Sequence, residues 1–119
     1  MKKLLIVLLA DSNGHENLAR ALHALLYAKQ AHAAGVSTKL IFDGGGTEWA
    51  AALPSHQHLR PLYQQLVEAG VIEGVCEFCA KAFEVYDQLK DGEVQLVSED
   101  QGHPNIGAKL ADGWQVMTL

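Results

Sequence analysis

Cys76 and Cys79 are the only cysteines in the chain, and they are spaced as Cys-x-x-Cys. Two thiols one helical turn apart can act as a nucleophile with a resolving partner, or as half of a zinc site. The run Val71-Ile72-Glu73-Gly74-Val75 before them has the apolar character of a strand, and the pattern from Ala80 to Leu89 after them is helical. Cys76 is therefore expected at a strand-to-helix junction, where the unpaired N–H groups of a helix start favour a thiolate over a thiol. Glu77 opposes that shift and Lys81 assists it. The competing reading is a pair of packed apolar thiols.

Other polar residues are expected on the same side of the molecule. In an open α/β sheet, ligands bind outside the carboxyl ends of the strands. The segments that leave those ends are Asp11-Ser12-Asn13-Gly14-His15, Asp43-Gly44-Gly45-Gly46-Thr47, Cys76, and Ser98-Glu99-Asp100-Gln101-Gly102-His103. Ser12, His15 and His103 are candidate ligand-binding residues there, the two histidines as proton donors or anion partners. Gly44, Gly45 and Gly46 allow close backbone approach and can aim N–H groups at a thiolate or persulfide, or can be a plain turn. No Gly-Lys-Ser/Thr follows them and no G-x-G-x-x-G pattern is completed, so nucleotide binding is unsupported. Asp11 and Asp43 read as helix caps or loop holders. His23 and His32 read as solvated-face residues of the first helix. His56-Gln57-His58 with the two cysteines would make a four-ligand zinc set only if the start of their helix reached the thiols, so no metal and no cofactor is expected.

The elements that must position these residues are legible as periodicities. Strand-like runs recur at 3–9, 38–42, 71–75, 94–97 and 114–119, with helical patterns in every interval, which is α/β layering. The first helix is expected to open at Asn13 with Glu16 three residues on, to bury Leu18, Ala21, Leu22, Leu25 and Ala28, and to close at Gly35. A short helix from Thr47 to Leu53 stops at Pro54, and a second runs from about His56 to Ala69, capped by Ser55 and ended by Gly70. A helix from Glu77 to Leu89 carries two apolar stripes, as if covered on more than one side. A short helix from Asn105 to Ala111 precedes the closing strand.

With 119 residues, 49% of them hydrophobic and 19% charged, the chain has the size of one globular domain, 1–119. A formal charge of −5, with no basic cluster beyond Lys2-Lys3, argues against nucleic-acid binding. Met1–Ala10 has a positive start and an apolar stretch, but no A-x-A-like site follows, so it reads as a buried strand and not a signal peptide. It is also far shorter than the roughly 20 residues of a membrane span. Two closely spaced cysteines suit a reducing, cytoplasmic setting.

The Leu4–Leu9 strand, the turn Phe42-Asp43-Gly44-Gly45-Gly46, Gly74-Val75-Cys76 leading into a helix, and the closing Gly113-Trp114-Gln115-Val116-Met117 resemble the DsrE-like (DsrE/F, YchN-type) family over essentially the whole length. The resemblance implies a single three-layer α/β/α sandwich with a mostly parallel sheet of about five strands. It also implies assembly as a homotrimer or homohexamer, with Cys76 at the position where sulfur-carrier members hold a persulfide. Cys79 lies outside that minimal pattern. The expectation is a sulfur-carrier or sulfurtransferase-like protein with donor and acceptor partners. A dithiol–disulfide redox protein and a non-catalytic binding or assembly subunit are the alternatives.

Overall fold

Apolar segments form strands β1 (Lys3–Leu8), β2 (Ser37–Phe42), β3 (Ile72–Cys76), β4 (Leu96–Val97) and β5 (Gln115–Thr118). They are joined by helices α1 (Gly14–Ala33), α2 (Thr47–Ala52), α3 (Arg60–Glu68), α4 (Glu77–Ala82), α5 (Tyr86–Leu89) and α6 (Ile106–Ala111). The structure is a computed structural model that describes residues 1–119. All strand pairs are parallel, in the order β4-β3-β2-β1-β5. The chain thus steps outward from β1 to β4 and returns to the far side of β1 with β5. Because the strands run the same way, Leu8, Phe42, Cys76, Val97 and Thr118 end on one edge of the sheet.

The two faces of the sheet are loaded unequally. Ile6, Leu8, Leu40, Phe42 and Val75 belong to a core of 18 buried residues, most of the others coming from α1 through α5. Alternation sends Leu5, Val7 and Ile41 to the other face, where Ile106 of α6, Trp114 just before β5 and Val116 of β5 pack on them. Each fully buried Leu or Ile in the larger core contributes about 2 kcal/mol by its removal from water. The second face is also held by polar contacts: Lys109 bonds Glu73 at 2.7 Å and lies 5.0 Å from the Trp114 ring. The α/β sandwich expected from the sequence is therefore present, with a thin third layer.

Several element boundaries differ from the sequence expectation. Leu18 and Leu22 are 37% exposed, while Ala24 joins Ala21, Leu25 and Ala28 in the core, so the inward face of α1 is rotated from the expected one. α3 begins at Arg60, not at His56, because the His56 ring, not Ser55, accepts the N–H groups of His58 and Leu59. The long helix expected from Glu77 to Leu89 is two short ones. Glu84 adopts φ 62 between them, a left-handed residue that ends α4, and Phe83 is left 39% exposed. β4 keeps two residues of the expected four. No helix is long and apolar enough to cross a membrane.

Candidate functional site

At the carboxyl end of β3, Cys76 is fully buried and serves as the residue before α4; its Sγ accepts the N–H of Cys79 at 3.4 Å. Cys79 is half-buried, and both thiols are free. The loop after β4 reaches over Cys76. Asp100 and His103 exchange backbone hydrogen bonds of 2.9 and 3.0 Å across Gln101 and Gly102, whose φ values of 51° and 90° are those of a primed hairpin turn. Gly102 permits that turn and also lets the chain pass against Phe78, whose N–H donates to Gly102 O at 2.9 Å. The turn delivers His103 Nδ1 to 3.4 Å from Cys76 Sγ. Phe78 stacks on the imidazole with ring centroids 4.6 Å apart, which fixes the plane of the ring.

Asp43 completes the cluster from the end of β2. One ligand atom each of Asp43, Cys76, Cys79 and His103 lies within 4.8 Å of all the others. The same aspartate accepts the Gly44 N–H at 2.8 Å, so it holds its loop, as its residue type suggested, and also faces the thiols. Its place in the cluster was hidden in the sequence, where β2 and β3 are separated by two helices. The available signal was that Asp43 directly follows a strand that neighbours the cysteine strand.

Burial pushes the Cys76 thiol up to about 12, and the neighbouring Asp43 charge acts in the same direction. The N–H of Cys79 pulls the other way but does not prevail. The thiolate expected from the helix start is therefore not the resting form. α4 has only six residues, and desolvation outweighs its end effect.

The remaining sequence candidates lie elsewhere on this edge. Ser12 donates its N–H and hydroxyl to Glu48 Oε1 at 3.0 and 2.9 Å. His15 borders a shallow apolar cleft of about 340 Å³ with Leu18, Leu22, His56, His58 and Leu59. The His56-x-His58 pair is thus brought to His15 and not to the cysteines. Gly44 and Gly46 spend their N–H groups on Asp43, and a side chain at Gly45 or Gly46 would run into the backbone of Asp11 or Leu8. Those two glycines bring the turn against the end of β1.

A buried thiol touched by an imidazole and paired with a second thiol can accept, hold and pass on sulfur, or can bind a soft cation. No curated protein and no solved structure matches the chain significantly. The family model that does match is that of the DsrE/DsrF-like family, aligned over residues 2–119, and the chain belongs to that family.

Proposed function

We propose that the protein is a sulfur-relay carrier that takes sulfane sulfur onto Cys76 as a persulfide. The observation that carries this reading is the contact of 3.4 Å between Cys76 Sγ and His103 Nδ1 at the end of β3; the resemblance matches Cys76 to the cysteine on which carrier members hold sulfur. His103 takes the thiol proton, and the Cys76 sulfur attacks the sulfane sulfur of a donor persulfide or thiosulfonate. The new S–S bond forms as the donor's breaks, and the donor leaves with the electron pair, as thiolate from a persulfide or as sulfinate from a thiosulfonate. Cys79 then resolves the persulfide: its thiolate attacks the Cys76 sulfur, a Cys76–Cys79 disulfide forms, and hydrosulfide leaves. Alternatively an acceptor protein's thiolate takes the outer sulfur and Cys76 returns to thiol.

Since Cys76 has no exposed surface, a donor reaches it only when the 100–103 turn and Phe78 shift aside. Phe78 is 54% exposed and stacks on that turn, so it is the natural point for a donor to engage. The proposed setting is the cytoplasm, where reducing conditions keep the two thiols free. The proposed assembly is a homotrimer or homohexamer, which would cover the thinly packed α6 face, where Leu110 is 56% exposed. Light scattering at micromolar concentration tests the assembly, and a monomer rejects it.

The direct test is intact-protein mass spectrometry of reduced, chelator-treated protein after exposure to a sulfane-sulfur donor. A one-sulfur increment lost in Cys76→Ser supports the carrier; loading that survives this change sinks it. The closeness of the two sulfurs favours a second reading, a dithiol–disulfide couple. A redox titration with no two-electron couple in the range of cellular thiols dismisses it.

A further inference from the structure

We propose that Asp43, Cys76, Cys79 and His103 form a closed four-ligand site for a borderline-soft divalent cation of the zinc class. This goes beyond sulfur carriage, which gives the aspartate no role. The four residues come from separate places: the residue after β2, the last residue of β3, the first turn of α4 and the loop after β4. Together they supply two sulfurs, one imidazole nitrogen and one carboxylate oxygen, all within 4.8 Å of one another.

The dimensions suit tetrahedral zinc. With Zn–S near 2.3 Å and Zn–N near 2.0–2.1 Å, the sulfur–nitrogen edge of a tetrahedron is about 3.6 Å. The Cys76 Sγ to His103 Nδ1 distance is 3.4 Å.

The groups behind the ligands are those that metal sites use to hold their donors. Cys76 Sγ accepts the Cys79 N–H, Asp43 Oδ1 accepts the Gly44 N–H, and Phe78 fixes the imidazole plane. With two thiolates, the Asp43 carboxylate supplies negative charge that complements a dication. Binding is an exchange: two S–H protons leave for solvent, two metal–thiolate bonds form, and no electron is transferred. Four protein ligands leave no open position, so the bound cation would clip the loop after β4 to the sheet, without providing a catalytic metal.

The test uses reduced, chelator-treated full-length protein titrated with Co²⁺ alone, then with Zn²⁺. One equivalent of Co²⁺ is expected to give tetrahedral visible bands and a thiolate-to-cobalt charge-transfer band, both bleached by one equivalent of Zn²⁺. His103→Ala and Asp43→Asn each weaken Zn²⁺ binding by about tenfold or more, measured against a chromogenic chelator. Cys79→Ser removes part of the charge-transfer intensity, and His56→Ala leaves the titration unchanged. Zn²⁺ also raises the melting temperature of the wild type and does so less in His103→Ala, with far-UV circular dichroism confirming that each variant folds. No stoichiometric tetrahedral spectrum in the wild type, or unchanged affinity in either His103→Ala or Asp43→Asn, overturns the site. Sulfur loading is scored on metal-free protein, so failure here and failure of the carrier reading are separate results.

Discussion

The carboxyl edge of the sheet has two halves with similar residue types and different use of them. Beyond β1, Asp11, Ser12, Asn17 and Glu48 satisfy one another: Asp11 Oδ1 accepts the Asn13 N–H and the Asn17 amide at 3.0 and 2.7 Å, and Trp49 Nε1 donates to Asp11 O at 2.9 Å. Those backbone and side-chain bonds also hold the Asp11 carboxyl below its ordinary range. Beyond β2 and β3, Asp43, Cys76, Cys79 and His103 converge with polar valence left over, and burial holds a thiol protonated. The first half is joinery between β1, α1 and α2. The unspent polar groups gather in the second. A polar residue at a strand end is thus no guide by itself; what matters is whether its hydrogen-bonding capacity is already spent.

The partition between the halves is the glycine turn, and breaking it should have the largest effect. A Cβ at Gly46 would overlap the carbonyl of Leu8, which is backbone and cannot move aside. Gly46→Ala is expected to destabilise the protein by about 3 kcal/mol, at the upper end for overpacking, as read by urea denaturation. A loss below about 1 kcal/mol would show that the turn can slide and that the halves are not rigidly separated.

Next in size is the contrast between the two thiols. In native, metal-free protein at pH 8, a polar alkylating agent should modify Cys79 about a hundredfold faster than Cys76. The Cys76 rate should climb roughly tenfold per pH unit from 8 towards 11, because its thiolate fraction grows that way below the value of about 12. The sign for stability follows. The folded state holds the proton while the unfolded chain releases it near 9.0, so the stabilisation is complete below that pH and is lost as pH rises towards about 12. Peptide mapping of the labelled protein checks the rates; equal labelling of both thiols at pH 8 would mean that the 100–103 turn does not cover Cys76 in solution.

A smaller effect is expected from the joinery. Glu48→Ala removes the acceptor for two Ser12 donors and should cost about 1 kcal/mol, since the bonds lie near solvent. It should leave the ratio of thiol labelling rates unchanged. A changed ratio would tie the two halves into one site.

Much of this arrangement was readable from the chain because it is local. The five apolar runs, the helix ends at Gly35 and Gly70, and the strand-to-helix junction at Cys76 each depend on a few neighbouring residues. The His103 contact was not readable, because it depends on a two-residue left-handed turn and on a loop from β4 meeting a side chain from β3. Gln101-Gly102 carried a hint of that turn, as glycine favours positive φ, but glutamine gave none. The burial of Cys76 was equally hidden, since its sulfur meets Gly102 and His103, more than twenty positions on. The break at Glu84 escaped for another reason: the apolar periodicity continues through it, and only the fold shows that Phe78 and Phe83 stay exposed.

The finest test of the two-halves picture is Ser12→Ala. The hydroxyl donates to Glu48 at 2.9 Å, but the Ser12 N–H reaches the same oxygen at 3.0 Å and remains after the substitution. One of two redundant, exposed hydrogen bonds is therefore lost, with an expected cost of about 0.5 kcal/mol. Ser12 is also a residue that the sequence alone placed beside Cys76 as a ligand contact. If the halves are separate, sulfur loading in the mass-spectrometric assay proceeds at the wild-type rate while the urea midpoint moves slightly. If loading falls several-fold with the fold intact, Ser12 contacts the donor, and the loops after β1 and β3 act as one surface despite the glycine turn between them.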